Sequence, residues 1–229
     1  MRAIILAAGR GERMRPLTDH CPKPLLQVQG KPLIVWHIEA LARSGVRDIV
    51  INTAWLAEQF PQQLGDGRAW GLRLHYSEEG QALETAGGIV RALPLLQAEG
   101  EESFWVVSGD VFLPGFRFEA ETARRFAAGP RLAHLWMVEN SPHHPRGDFA
   151  IDAQGLATLD GAPRYTWASV GLYKAGLFAG LAAGQRAALR PCLDAGIAAR
   201  RISAELYPGP WTDVGTVERL QALNQAPPA

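Results

Sequence analysis

The groups in this chain best suited to chemistry are two basic residues set close behind a pair of glycines, and two widely separated aspartates. Gly9, Gly11, Glu12 and Arg13 fall in the string Leu6-Ala7-Ala8-Gly9-Arg10-Gly11-Glu12-Arg13-Met14, and Lys23 follows in Pro22-Lys23-Pro24-Leu25. Glycines let a backbone approach a phosphate closely, and successive N–H groups can cradle its oxygens. Arg13 and Lys23 add cationic donors able to hold a triphosphate and to stabilise charge building on a leaving group. By itself a Gly-x-Gly is a surface turn with solvated basic neighbours. This one matches neither better-known phosphate motif, because Met14 stands where a dinucleotide fingerprint needs a third glycine and no Gly-Lys-Ser/Thr ending follows. Asp110 closes an apolar run, where a carboxylate can face a ligand, and Asp213 lies in Trp211-Thr212-Asp213-Val214-Gly215-Thr216. Either aspartate taken singly reads as a turn former or helix cap.

The elements that position these groups alternate through the first half. Ala3–Ala8 is a short, continuously apolar run ending at Gly9, as expected of a buried parallel strand. Pro32–Ser44 reads as a helix with Pro in its first turn and Gly45 past its end. A strand over Asp48–Asn52, a helix over Ala54–Leu64 interrupted near Pro61, and a strand over Leu72–Ser77 follow. Thr85 is placed to cap a helix reaching about Leu96, and Phe104–Ser108 forms another buried strand. Such alternation implies right-handed crossovers and a parallel sheet covered on both faces. Beyond about residue 130, Leu132–Val138, Phe149–Ile151, Leu156–Leu159 and Tyr165–Tyr173 read as strands, the later ones antiparallel. Helices over Leu177–Ala183 and Ala187–Arg201, a strand over Ala204–Tyr207 and a closing helix complete the pattern. The expected architecture is α/β: a single Rossmann-like domain over residues 1–225 with a mixed, mostly parallel central sheet flanked by helices, and a tail at 226–229. Ligands gather beyond the carboxyl ends of strands in such sheets, which singles out residues 9–23, 79–88 and 109–110.

The complete set of strings resembles the signature of the sugar-1-phosphate nucleotidyltransferases, in which a Gly-x-Gly-x-Arg loop and a Pro-Lys-Pro-Leu segment serve one active site. The likeness extends to Gly109-Asp110 and to Asp213, and so spans most of the chain. It implies a division into a nucleotide-binding half, about 1–130, and a sugar-binding half, about 131–225. It further implies that Gly9, Gly11, Glu12, Arg13 and Lys23 meet the nucleotide phosphates, with Arg13, Lys23 and Asp110 catalytic. Asp110 and Asp213 would hold Mg²⁺, which keeps waters and needs only one or two protein carboxylates besides phosphate oxygens. Glu79, Thr85, Gly87 and Gly88, within Glu78–Gly88, would read the base; Glu79 as an acceptor suits uracil and guanine equally. On the acceptor side the likeness points to Gly147 and Asp148. The family's Glu-Lys-Pro motif is missing, so Arg146 and Lys174 are the candidates to grip the sugar phosphate. The adjacent His143 and His144 suggest surface or structural roles, since sequence neighbours rarely point at one ion.

Composition narrows the partners. Lys plus Arg total 23, as do Asp plus Glu, so the net charge is zero and the basic field that nucleic acid demands is missing. No run approaches membrane-spanning length, and the apolar start is too short for a signal peptide. Cys21 and Cys192, without metal-like spacing, are expected as reduced thiols in a cytoplasmic protein whose partners are small molecules. A dehydrogenase would need an acidic ribose partner where Asn52 and Thr53 stand. An inactive regulatory subunit would be expected to lose one of Arg13, Lys23, Asp110 and Asp213, and all four are present.

Overall fold

A computed structural model describes residues 1–98 and 100–227, so the expected tail lies in part, at Pro228 and Ala229, outside the described residues. In chain order the elements are β1 (Ala3–Leu6), a small hairpin of β2 (Gln27–Val28) and β3 (Lys31–Pro32), α1 (Leu33–Arg43), β4 (Asp48–Thr53), α2 (Gln59–Leu64), β5 (Arg73–Glu78), α3 (Glu84–Leu96), β6 (Ser103–Ser108) and β7 (Val111–Phe112). There follow α4 (Ala120–Ala128), β8 (Ala133–Val138), β9 (Phe149–Ile151), β10 (Ala157–Thr158), β11 (Arg164–Lys174), α5 (Leu189–Ala198), β12 (Ile202–Leu206), β13 (Thr212–Asp213) and α6 (Val217–Gln225).

A nine-stranded mixed sheet runs β10-β9-β11-β6-β1-β4-β5, with β8 beside β11 and β12 beside β8. Its parallel part is β6-β1-β4-β5, which brings Leu6, Asn52 and Ser108 level at one end. Alternation along the strands divides the core. Ile5, Ile49, Ile51, Trp105 and Val107 pack under α1, while Ile4, Val50, Phe104 and Val106 pack under α3 and α5. Both faces are therefore apolar, and the strand sequences read as unbroken hydrophobic runs.

Several boundaries differ from expectation for local reasons. The helix expected over 54–64 is only α2, because Leu56 takes a positive φ of 49° and breaks the turn before it. Pro61 falls in the first turn of α2, where its missing N–H is no loss. The helix expected over 177–183 shrinks to a 3₁₀ turn at Ala175–Phe178. The chain before α5 is instead extended, and Ala187 accepts from Ala86 N and Gly87 N at 3.0 Å while donating to Leu83 O at 2.9 Å. Strand β12 runs parallel to β8, although the neighbouring strands of this half are antiparallel. Helix α4 was not expected; only Ala123 and Phe126 anchor it to the core.

A two-stranded ribbon of β7 and β13 crosses beyond the end of β6, pairing Val111 with Asp213 and Phe112 with Thr212. The same ribbon carries the bond from Val214 N to Asp110 O at 2.8 Å. His37 of α1 supports it from below, its Nε2 donating to Val111 O at 2.9 Å. Because a carbonyl only accepts, the proton of the neutral ring sits on Nε2. Burial, the main cause, lowers the His37 pKa to about 4.

The depressed value fixes the sign of an acid effect. Between about pH 6.5 and 4 the unfolded chain binds a proton that the folded His37 refuses, so stability is complete above that window and lost as pH falls through it. The expected loss from this group is about 2 kcal/mol between pH 7 and pH 5. Asp48, held down to about 2 chiefly by its hydrogen bond from Arg73, gives up its contribution only at lower pH. Urea unfolding at the two pH values measures the effect. His37→Gln, which keeps a donor for Val111 O, should lose most of the difference, and an undiminished difference would remove His37 as its source.

Candidate active site

A cavity of about 250 Å³ opens beyond the carboxyl ends of β1, β4 and β6. Gly9, Gly11, Lys23, Thr85 and Asp110 all line it, brought together from four separate stretches of sequence. Gly11 has φ +66°, and a Cβ there would stand 2.9 Å from Thr18 Cγ2 and 3.3 Å from Lys23 Cβ. Only glycine lets the loop fold so tightly against the lysine segment. Thr18 Oγ1 donates to Gly11 O at 2.8 Å, closing the loop. Thr85 is not the helix cap: α3 begins one residue earlier with no side-chain cap, leaving Thr85 in its first turn.

Lys23 is held by a 3₁₀ turn with Pro22 before it and Pro24 within it. Its Nζ lies 2.6 Å from Asp110 Oδ2, and Ser108 Oγ donates to Asp110 Oδ1 at 2.6 Å. Burial opposes ionisation of Asp110, but the Lys23 ammonium and the Ser108 hydroxyl outweigh it and hold the carboxyl below its ordinary range. Across the ribbon, Asp213 is paired with Arg219 of α6 through Oδ2 and with His143 Nε2, at 2.9 Å, through Oδ1. It does not cap α6; Thr216 does, accepting from Arg219 N. Each aspartate thus presents oxygen donors already facing cationic or hydrogen-bonding groups, the donor chemistry of a hard cation.

Glu12 and Arg13 line an adjoining cleft with Lys23 and Gly215. Arg13 is exposed and makes no hydrogen bond or ion pair with another described residue. A third cavity, about 320 Å³, lies on the far side of Asp213 and is lined by Glu139, Ser141, His143, Tyr207 and Trp211. Trp211 is fixed by its Nε1 bond to Ala168 O at 2.9 Å.

Four of the expected contact residues, Glu79, Gly87, Gly88 and Lys174, are not among those lining the cavity. Glu79, expected as the base acceptor, is buried and turned inward: Oε1 accepts from Asn52 Nδ2 at 2.6 Å and Oε2 from Leu83 N at 2.7 Å. Burial raises its pKa in spite of both donors. Gly87 and Gly88 face packing contacts and not the cavity. A Cβ on Gly87 would meet Gln185 O at 2.4 Å, and one on Gly88 would meet Glu79 Oε1 at 2.4 Å. Lys174 lies at the opposite end of the sheet, beside Ser103, with Nζ bonded to Ala127 O and Gly129 O. Of the remaining acceptor-side candidates, Arg146 is exposed in a turn, and Gly147 packs against Asn140 and the Arg164–Tyr165 backbone. Asp148 ties the same loop to β11, accepting from Trp167 N at 2.8 Å.

Asn52 is the main residue that sequence reasoning missed. It lines the cavity, accepts from Ala7 N at 2.7 Å and donates to Glu79, so one amide links β1, β4 and the loop before α3. The available signal was a polar residue ending the apolar run of β4 at the level of Ser108. His143 and Arg219 were missed as partners of Asp213 because nothing local connects them.

The arrangement defines a class: an α/β protein with a cavity lined by glycines, a lysine and an aspartate at the carboxyl edge of its sheet, and a further cavity beside Asp213. Residues 2–158 match the family model described as nucleotidyl transferase. The chain is 48% identical over 225 residues, 96% of both proteins, to the N-acetylmuramate alpha-1-phosphate uridylyltransferase of Neisseria meningitidis serogroup B. It is 27% identical to a glucose-1-phosphate thymidylyltransferase of Streptomyces griseus, covering 98% of this chain and 65% of that one. The fold matches, with a TM-score of 0.84 at 21% identity, a Bacillus anthracis crystal structure containing sucrose and assigned as a glucose-1-phosphate thymidylyltransferase; the match covers 98% of this chain and 94% of that one. The chain belongs to the nucleotidyl transferase family and is an enzyme of it.

The close seat of α3 on the Asn52–Glu79 pair is testable. Gly88→Ala should cost about 1–3 kcal/mol, the range for overpacking a filled interior, read from urea unfolding. A change within about 0.5 kcal/mol, the scatter of neutral substitutions, would show that the pair yields without strain.

Proposed function

We propose that this enzyme transfers UMP from UTP to N-acetylmuramate 1-phosphate, giving the UDP-sugar and pyrophosphate, as a cytoplasmic step of cell-wall recycling. The observation that carries the reading is the meeting of Lys23 with Asp110 beside Gly9 and Gly11, with Asp213 one strand away. The substrates are supported by the printed activity of the 48% identical Neisseria protein, which this chain spans almost end to end. Residues about 1–130 would serve the nucleotide and about 131–225 the sugar within one domain. Both partners are small molecules; no helix among the described residues is long and apolar enough to cross a membrane.

The chemistry is an in-line displacement in which an oxygen of the sugar phosphate attacks the α-phosphorus and pyrophosphate leaves. A phosphate dianion is already a sufficient nucleophile, so no side chain need act as one. The backbone of Gly9–Gly11 cradles the phosphates. Arg13 and Lys23 neutralise charge growing on the leaving group. Asp110 and Asp213 fit Mg²⁺ by donor type and by their juxtaposition across the ribbon, and the ion, when bound, would supply Lewis-acid neutralisation of the phosphates. With Glu79 committed inward, the base would lie against the backbone of the Ala82–Thr85 stretch, whose Ala82, Glu84 and Thr85 line the cavity.

Pyrophosphate release from a panel of nucleoside triphosphates and sugar 1-phosphates tests the reading; a preference for GTP with mannose 1-phosphate would overturn the substrate assignment. Chelation should abolish turnover, and Asp110→Asn or Asp213→Asn should each lower kcat by about a hundredfold or more. Near-wild-type rates in both variants would reject the metal assignment. Arg13→Ala should lower kcat more than it raises KM.

Arg146, exposed in the turn before Gly147, would meet the lactyl carboxylate that separates N-acetylmuramate from N-acetylglucosamine. Arg146→Ala should then weaken use of N-acetylmuramate 1-phosphate by about 2 kcal/mol and leave N-acetylglucosamine 1-phosphate nearly unchanged. An equal loss for both sugars, or for neither, would reject that role.

A further inference from the structure

The transfer requires a cation for the phosphate of the acceptor; Lys174 is at the opposite end of the sheet, and Arg146 is exposed in a turn where the sugar's lactyl group was placed above. The attacking oxygen must come within about 3–3.5 Å of the α-phosphorus. On the function proposed above, that phosphorus would stand beside Asp110 and Asp213, which the β7–β13 ribbon holds next to one another. The acceptor phosphate therefore arrives next to Asp213, and any cation serving it must be there too.

Arg219 occupies that position. Its NH1 group donates to Asp213 Oδ2 and lies 3.0 Å from His143 Nε2. Its NH2 group stands 3.2 Å from where a Cβ on Gly215 would be. Gly215 lines the Arg13–Lys23 cleft and Asp213 and His143 line the acceptor cavity, so the guanidinium touches residues that line each of the two. The side chain is 23% exposed, open enough to be reached and buried enough to exclude much competing water. Among the described residues only NH1 is engaged, leaving the Nε and NH2 donors of the fork uncommitted.

The platform beneath Arg219 is fixed. Thr216 caps α6, Leu220 packs with Val214 and Phe112, and Gln29 of the β2–β3 turn bonds to Leu223 O and to Asn224 Oδ1. A fixed helix holding a forked donor can bind two oxygens of a phosphate with defined geometry.

We propose that Arg219, assisted by His143, binds the phosphate of the sugar 1-phosphate acceptor, an inference that rests on the function proposed above. The Nε and NH2 donors, which Asp213 does not use, are the ones available to the incoming phosphate. Arg219 makes and breaks no covalent bond; it orients the nucleophile. Lys23 and Arg13 serve the nucleotide, Arg219 and His143 the acceptor.

Steady-state kinetics of Arg219→Ala and Arg219→Lys, with acceptor, UTP and Mg²⁺ each varied, test the proposal alongside Tm. The expected result is an acceptor KM raised about tenfold to a hundredfold in Arg219→Ala, the range for a lost charge-assisted hydrogen bond. The UTP KM should stay within about twofold, the half-saturating Mg²⁺ concentration should not rise, and Arg219→Lys should recover part of the loss. The increase should be equal for N-acetylmuramate 1-phosphate and N-acetylglucosamine 1-phosphate, because the phosphate is common to both. An unchanged acceptor KM, or a raised Mg²⁺ requirement with acceptor KM unchanged, would overturn the proposal and leave Arg219 as an anchor of Asp213. Should Arg219→Ala unfold, Arg219→Lys and Arg219→Gln carry the comparison, and losses that follow only Tm would also overturn it. Wild-type protein inactive on every sugar 1-phosphate would reject the proposed function itself; an active wild type with unaltered variants rejects only the role of Arg219.

Discussion

Two carboxylates set against one another at the edge of a hydrophobic sheet would repel strongly unless each had a cation of its own. The Lys23–Asp110 pair answers that need on one side and the Arg219–Asp213 pair on the other. Much of the surrounding structure follows from these two contacts. The Lys23 ammonium reaches Asp110 because a short turn bracketed by prolines lies directly against the glycine loop, and that approach leaves no room for a side chain at Gly11. Arg219 reaches Asp213 because α6 folds back onto the β2–β3 hairpin and the β7–β13 ribbon. These cations offset the mutual repulsion of the two carboxylates.

A second layer of hydrogen bonds holds the frame around those charges. Asn52 joins the backbone after β1 to Glu79, and Glu79 joins Asn52 to the start of α3. A buried amide and carboxylate that satisfy one another in this way act as a rigid strut, and α3 can lie on it only because Gly88 offers no side chain. On the opposite face His37 holds the carbonyl of Val111, which steadies the ribbon that keeps Asp110 and Asp213 together. The charged groups thus rest on uncharged or internally paired groups that are themselves hydrogen-bonded.

The second half of the chain, proposed above to serve the sugar, is built with different materials. Its strands are largely antiparallel, and β11 continues past the parallel sheet to pair with β8 and β9. That extension carries Ala168 to Trp211 and Trp167 to Asp148, fixing one wall and the loop that bears His143 and Arg146. Loops on such a frame can differ among family members without disturbing the phosphate end, which is where variation in the sugar would be accommodated.

The apolar strand runs, the proline-started α1 and the glycine loop were legible in the sequence because each depends on neighbours a few residues away. The strings around Gly11, Lys23, Asp110 and Asp213 also carried the family in one dimension, since those residue types at strand ends suit phosphate and metal chemistry wherever the sheet puts them. Partners were another matter. Lys23 and Asp110 are 87 residues apart, and Asp213 finds His143 across 70. Glu79 and Lys174 had the right chemistry for ligands, yet Glu79 spends its oxygens on Asn52 and Leu83, and Lys174 caps the carbonyls of Ala127 and Gly129. A side chain's type states which bonds it can make; which bonds it does make depends on the groups that packing brings within reach, because a buried charge takes the partner nearest to hand. Tertiary structure alone turned Glu79 inward, tied Lys174 to the end of α4 and set Arg219 against Asp213.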